Sequence, residues 1–282
     1  RVEFVISTAQ AQKEGTIGVV LDEAAPQIVQ QAEEQCIRAG ITKERVRFFT
    51  KEIDEEPDDL EFDPQLLETM LFARTAFIDL LQNREYSLHD RLVNVLSASA
   101  EIQYALDEED TEEIKAIAQE LSHPEIIAER VENLKKALPE KPLENAENML
   151  SYLERLDFIG DILPQQIKDA SRFVKKLSAP LKAQTSGEYE KLAVYFVYRY
   201  FLKAVRDFDL LSKIKAMIVF VFAAEVINLS REQDAHARFE TVKELCKEIE
   251  YSGDNMDRIY DDSYLSDIFS DISMLALLEW TL

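Results

Sequence analysis

The stretch LLSKIKAMIVFVFAAEVINL, residues 210–229, constrains the possible fold of this chain more than any other. Its centre, AMIVFVFAA (216–224), would be apolar on every side of a helix, so no face is left for water. Lys215 and Glu225 bound that centre, and it falls well short of the roughly 20 residues a membrane-spanning helix needs. The expectation is a buried central helix around which the rest of the chain packs.

Helical periodicity dominates from Pro64 onward. PQLLETMLFARTAFIDLLQNR places Leu66, Leu67, Met70, Leu71, Phe77, Ile78 and Leu81 at three- and four-residue steps, with Pro64 suited to a first turn. Ser87 is the N-cap expected for SLHDRLVNVLSASAEIQYAL. Asp110 or Thr111 is expected to cap TEEIKAIAQEL, which stops near Pro124. Then come PEIIAERVENLKKAL before Pro139, ENAENMLSYLERLDFIGDIL before Pro164, and PQQIKDASRFVKKLSA ending at Pro180. No fixed-period repeat links these segments, so the expected fold is mainly α, an irregular multi-helix bundle and not a solenoid.

Residues 1–55 differ in texture. VEFVIS and TIGVVLD are short β-branched runs, PQIVQQAEEQCIRAG is an amphipathic helix ended by Gly40, and RVRFFTKEI reads as a further strand. A small N-terminal α/β element is expected there, ahead of a helical domain over residues 56–282. The acidic KEIDEEPDDLEFDP (51–64) reads as a linker or edge. Gly15 and Gly18 form neither a GxGxxG fingerprint nor a P-loop.

Acidic residues outnumber basic ones 55 to 32, a formal net charge of −23, which repels phosphate backbones and anionic membranes and attracts cations. Neither nucleic acid nor membrane is an expected partner. Cys36 and Cys246 lie far apart, as free thiols in a cytoplasmic protein would. The chain opens at Arg1 without a charged-then-apolar leader, which suits the same compartment. His89, His123 and His236 fall in separate predicted elements, so no metal site is expected. SGDNMDRIYDD is rich in oxygen ligands but lacks the spacing and terminal Glu of a calcium loop.

The segment YFVYRYFLKAVRDFDLL (195–211) concentrates the candidate chemistry. On a helix from about Glu188 to Asp207, Leu192, Phe196, Tyr200 and Lys203 share one side, while Tyr195, Arg199, Leu202 and Arg206 share another. Two readings stand. Either Tyr195, Tyr198 and Tyr200 are core residues whose hydroxyls find partners, or they and Arg199 line a pocket. Arg199 is expected to be largely buried, and would then need a carboxylate or an anionic ligand beside it. Arg206, next to Asp207 and Asp209, is expected to be a solvated charge near a helix C-terminus.

Three stretches, in order, resemble the helical C-terminal part of the flagellin lysine-N-methylase family: ARTAFIDLLQNREYSLHDRLVNVL (73–96), YEKLAVYFVYRYFLKAVRDFDLLSKIKAMIVFVFAAEVI (189–227) and CKEIEYSGDNMDRIYD (246–261). The first is similar to paired helices joined by an LQ.R.YSL..RL corner, and the second to a long helix pair bearing tyrosines and arginine. The third is similar to an ending in which a Glu, a Ser and an Asn recur, here Glu250, Ser252 and Asn255. The likeness spans about Leu60 to Asp262. The cysteine-rich, metal- or iron–sulfur-binding region of that family's N-terminal half has no counterpart in this sequence.

The resemblance implies methyl transfer from S-adenosylmethionine to lysine side chains of flagellin or a related protein substrate. It makes Tyr195 and Tyr198 candidate catalytic groups, and Arg199, Tyr200, Glu250 and Asn255 candidate cofactor contacts. The alternative is a non-catalytic helical protein-interaction module derived from the same family. A small-molecule-binding regulator built on the central aromatic cavity is a third reading.

Overall fold

The computed structural model describes residues 63–137, 141–181, 187–231 and 235–280, together with Glu3–Phe4 and Val19–Val20, which pair antiparallel. The α/β element expected over residues 1–55 otherwise lies outside the described residues. From Asp63 the described chain is helical. It runs through α1 (Pro64–Gln82), α2 (Leu88–Asp107), α3 (Thr111–Glu120), α4 (Pro124–Ala137), α5 (Pro142–Leu153) and α6 (Ile162–Val174). After these come α7 (Gly187–Tyr200), α8 (Leu211–Leu229), α9 (Ala235–Leu245), α10 (Gly253–Leu265) and α11 (Asp271–Leu278).

Local chemistry sets the starts of these helices. Asp63, Ser87 and Asp110 each accept a hydrogen bond from a first-turn N–H, of Gln65, Asp90 and Glu113 respectively, and Pro64 occupies the first turn of α1. The apolar run forms α8, whose residues from Ser212 to Asn228 are all buried. Helices α2, α6, α7, α9, α10 and α11 pack around it. Each Val, Ile or Phe enclosed this way contributes about 1.5–3 kcal/mol relative to exposure. Two lysines at the start of α8 are buried but paired: Lys213 Nζ lies 2.8 Å from Asp207, and Lys215 Nζ lies 3.2 Å from Asp271. Glu225 is different. It is 1% exposed, neither carboxylate oxygen has a hydrogen-bond partner among the described residues, and burial pushes its carboxyl well above the ordinary carboxylate range. None of the described helices is long and apolar enough to cross a membrane.

Two expected helices are not continuous. The helix expected to run up to Pro164 ends at Leu153, and Pro164 instead sits in the first turn of α6, where its missing N–H is harmless. The intervening loop is stabilised by side chains from a distant part of the sequence, which local periodicity does not report. The helix expected from Glu188 to Asp207 is α-helical to Tyr200, tightens to a 3₁₀ turn over Phe201–Lys203, and closes with the turn Ala204–Asp207. Phe208 then adopts a left-handed conformation, φ 52°. Gln103 of α2 holds this corner, donating to the Phe208 carbonyl and accepting the N–H groups of Leu210 and Leu211 at the start of α8.

Candidate functional site

Helix α7 forms the floor of a trough between α1 and α9. On the α9 side lies an open groove of about 890 Å³, lined by Leu192 and Tyr195 from α7, Phe239 and Val242 from α9, and Cys246 and Tyr251 beyond it. Its charged lining residues are Glu188, Lys191, Arg238, Lys243 and Lys247, of which Arg238 pairs with Glu188, Lys243 with Glu240, and Lys247 with Glu244 and Glu248. A smaller cleft of about 320 Å³ lies on the α1 side, between Ile78 and Tyr198. Lys191 and Tyr195 border both.

The groove ends at a π turn, Cys246–Glu250, where the helix widens between α9 and α10. This turn carries the Glu250 carboxylate behind the groove wall. Its side chain is fully enclosed, accepting hydrogen bonds from Tyr195 Oη at 2.5 Å and Tyr200 Oη at 2.7 Å, with Arg199 Nε at 3.3 Å. The second oxygen, Oε2, is buried without a partner. Burial raises the pKa of both phenols, and the bonds to Glu250 raise them further, so Tyr195 and Tyr200 remain neutral donors. Burial and the same carboxylate push the Cys246 thiol up, which leaves it a poor nucleophile at neutral pH.

Arg199 has the carboxylate partner its sequence context called for, but its expected burial is inverted. Its side chain is 39% exposed and the glutamate is the enclosed member. The guanidinium lies over the rings of Tyr195, Tyr200 and Tyr251 at 5.9, 5.5 and 5.7 Å, so three aromatic faces carry it at the surface. Arg206 is exposed, as expected. Arg199→Ala is expected to lower stability by about 1–2 kcal/mol, a value reduced for the solvent around the guanidinium, because Glu250 loses its positive neighbour. Arg206→Ala is expected to leave the thermal melt unchanged, and melting both variants side by side checks the contrast.

A second carboxylate joins the other elements. Glu190 of α7 is 5% exposed and accepts from Arg84 at 2.9 Å and from the fully enclosed Arg91 at 2.8 Å. Burial pushes its carboxyl up, but the two arginine hydrogen bonds prevail and hold it below the ordinary range. The three quoted stretches are therefore tied in space by two glutamates. Glu190 links the second to the corner of the first, and Glu250 links the third to the tyrosines of the second.

The structure brings Tyr195, Arg199, Tyr200 and Glu250 into one cluster and places the other candidates elsewhere. Tyr198 is exposed on the α1 side, with Arg74 Cζ 5.0 Å from its ring. Asn255 is 1% exposed and bonds to backbone: it accepts from Asp157 N–H at 3.0 Å and donates to the carbonyls of Asp157 and Glu248 at 2.6 and 3.0 Å. Ser252 caps α10. Sequence reasoning missed Arg84, Arg91 and Glu190, although all three lie within or beside the quoted stretches. It also missed Glu248, which nothing in the local pattern distinguishes from its neighbours. Among the described residues no cluster of His, Cys, Asp and Glu has the geometry to hold a metal ion.

These features define an all-helical domain with an enclosed acid–tyrosine cluster beside a groove sized for a small molecule. The family model of the FliB lysine N-methylase C-terminal domain matches residues 74–277, and the chain belongs to that family. No curated protein and no solved structure matches the chain. Membership bears out the resemblance carried by the three stretches and ties the chain to lysine N-methylation.

Proposed function

We propose that this domain serves methyl transfer from S-adenosylmethionine to lysine side chains of a protein, with flagellin the expected substrate. The observation that carries the reading is the enclosed Glu250 carboxylate, with one oxygen unpartnered and two tyrosine hydroxyls bound to the other, directly behind a groove bordered by Tyr195. A lysine ammonium, with an ordinary pKa of about 10.4, must shed a proton before its nitrogen can attack. Tyr195 Oη donates to Glu250 and keeps lone pairs to accept an N–H, so a proton delivered there can pass to the carboxylate.

The residues present fit the cofactor. The groove volume of about 890 Å³ lies within the range of small-molecule sites. The rings of Tyr195 and Tyr251 offer faces to a sulfonium, a contact of about 0.5–2 kcal/mol. Lys191 supplies a cation for the amino-acid carboxylate, while Arg238, Lys243 and Lys247 are paired with Glu188, Glu240, and Glu244 and Glu248. When bound, S-adenosylmethionine supplies an electrophilic methyl group. The chain's part is to hold both reactants out of water and to take up the lysine proton.

Calorimetric titration with S-adenosylmethionine is expected to show saturable one-site binding by the parent chain. Glu250→Gln, which keeps the shape and removes the charge, is expected to abolish methyl transfer to flagellin followed by mass. A parent chain that binds flagellin but gives no heat with S-adenosylmethionine would make the domain an interaction module instead.

A further inference from the structure

The loop joining α5 to α6, residues 154–161, buries Leu156 and half-buries Phe158, and the backbone between its exposed side chains is fixed like part of the core. Glu248, 2% exposed, accepts the N–H groups of Ile159 and Gly160 at 2.7 and 3.1 Å, and Asn255 pins the backbone of Asp157 from below. Gly160 runs close to Glu248: a Cβ there would lie 3.0 Å from Glu248 Oε1, and the carboxylate would have to give by a few tenths of an ångström to admit it. At the tip of this backbone Ile159 is 94% exposed, and Ile162 at the start of α6 is 58% exposed. Singly exposed apolar side chains are ordinary. This one differs because the chain beneath it is held so that the isoleucine cannot fold inward, and an anchor ordered in advance loses little freedom on docking.

Charge indicates the kind of partner. The loop carries Glu154, Asp157 and Asp161 against Arg155, whereas the groove's Arg238, Lys243 and Lys247 are each paired with a carboxylate. A basic polypeptide is drawn to the loop. The two features are also linked covalently, since Glu248 beneath the loop and Glu250 behind the groove belong to the same five-residue turn.

We propose that loop 154–161 is the docking surface for a basic, lysine-bearing protein, with Ile159 seated in an apolar recess of that partner and the flanking acids facing its cations. The identity of the partner as the substrate rests on the methyl-transfer reading; the surface itself does not. Monomeric flagellin is the probe, titrated calorimetrically against the full chain. Ile159→Ser is expected to weaken its binding about tenfold. Asp157→Lys, an exposed charge reversal, is expected to slow association and flatten its dependence on salt. S-adenosylmethionine binding should be the same in both variants as in the parent, because neither side chain lines the groove. Equal flagellin affinity in the parent and both variants overturns the docking assignment, and so does a parent that binds no flagellin. A parent that binds flagellin through Ile159 but does not bind S-adenosylmethionine upholds the docking surface and overturns the methyl-transfer reading instead.

Discussion

Val219→Asp is expected to prevent folding altogether. Val219 is 1% exposed in the middle of α8, the helix against which α2, α6, α7, α9, α10 and α11 pack. A carboxylate placed there lies one turn from Lys215, whose ammonium is already committed to Asp271 and the Ser263 carbonyl, so it stays unpaired. An unpaired charge in such a site costs several kcal/mol, against a total stability of about 5–15 kcal/mol for a domain. The expected observation is loss of the cooperative thermal transition and recovery of the variant only as aggregate. A soluble variant melting at the parent temperature would show that α8 is not the centre of the core.

Glu225 on the same helix predicts a pH dependence. Its carboxyl is neutral in the folded chain because burial disfavours the ionised form, and its folded pKa lies well above the ordinary value. Below about pH 4.3 both folded and unfolded chains hold the proton, and this group contributes no pH dependence. As pH rises past that point the unfolded chain releases the proton and the folded chain keeps it, so stability falls by up to about 1.4 kcal/mol per pH unit until the raised folded pKa is reached. Glu225→Gln, close in shape to the protonated acid, is expected to remove that slope. Glu225→Leu is expected to remove it and to raise stability at pH 8 by about 1–4 kcal/mol, because two unpartnered buried oxygens disappear as well. Urea denaturation of the three proteins between pH 5 and pH 8.5 reads both effects. Parallel curves for parent and Glu225→Gln would mean that the carboxyl is ionised and paired in the folded state.

What the sequence made legible was the structure that short-range chemistry determines. Caps at Ser87 and Asp110 and the first-turn proline at Pro64 place helix starts where the structure has them, and the absence of a polar face on 216–224 identifies the central helix. The need of Arg199 for a carboxylate was also readable, since a guanidinium among aromatic rings requires one. Which carboxylate answers it was not, because Glu250 arrives from 51 residues further along the chain and the choice is made by the packing of α7 against the π turn. The same limit hid the loop after Leu153. Its N–H groups are satisfied by Glu248 and Asn255, close to a hundred residues away, so the sequence between Glu154 and Asp161 looks like uninterrupted helix. Asn255 was named from its recurrence in the quoted ending, and in the structure its side chain bonds to the backbone of Asp157 and Glu248, contacts that no local pattern reports.

The π turn at Cys246–Glu250 has a consequence for how this domain can vary in length. Such a turn exists where the chain carries one residue more than an α-helix accommodates over the same rise. Deleting a residue between Cys246 and Glu250 would let the stretch close into regular helix, and because the wide turn absorbs the spare residue, the chain beyond it would keep its course. Ser252 and Asn255 would hold their places. What a deletion would lose is the aim of the side chains within the turn, so the spare residue serves the placement of Glu248 and Glu250 and not the path of the chain.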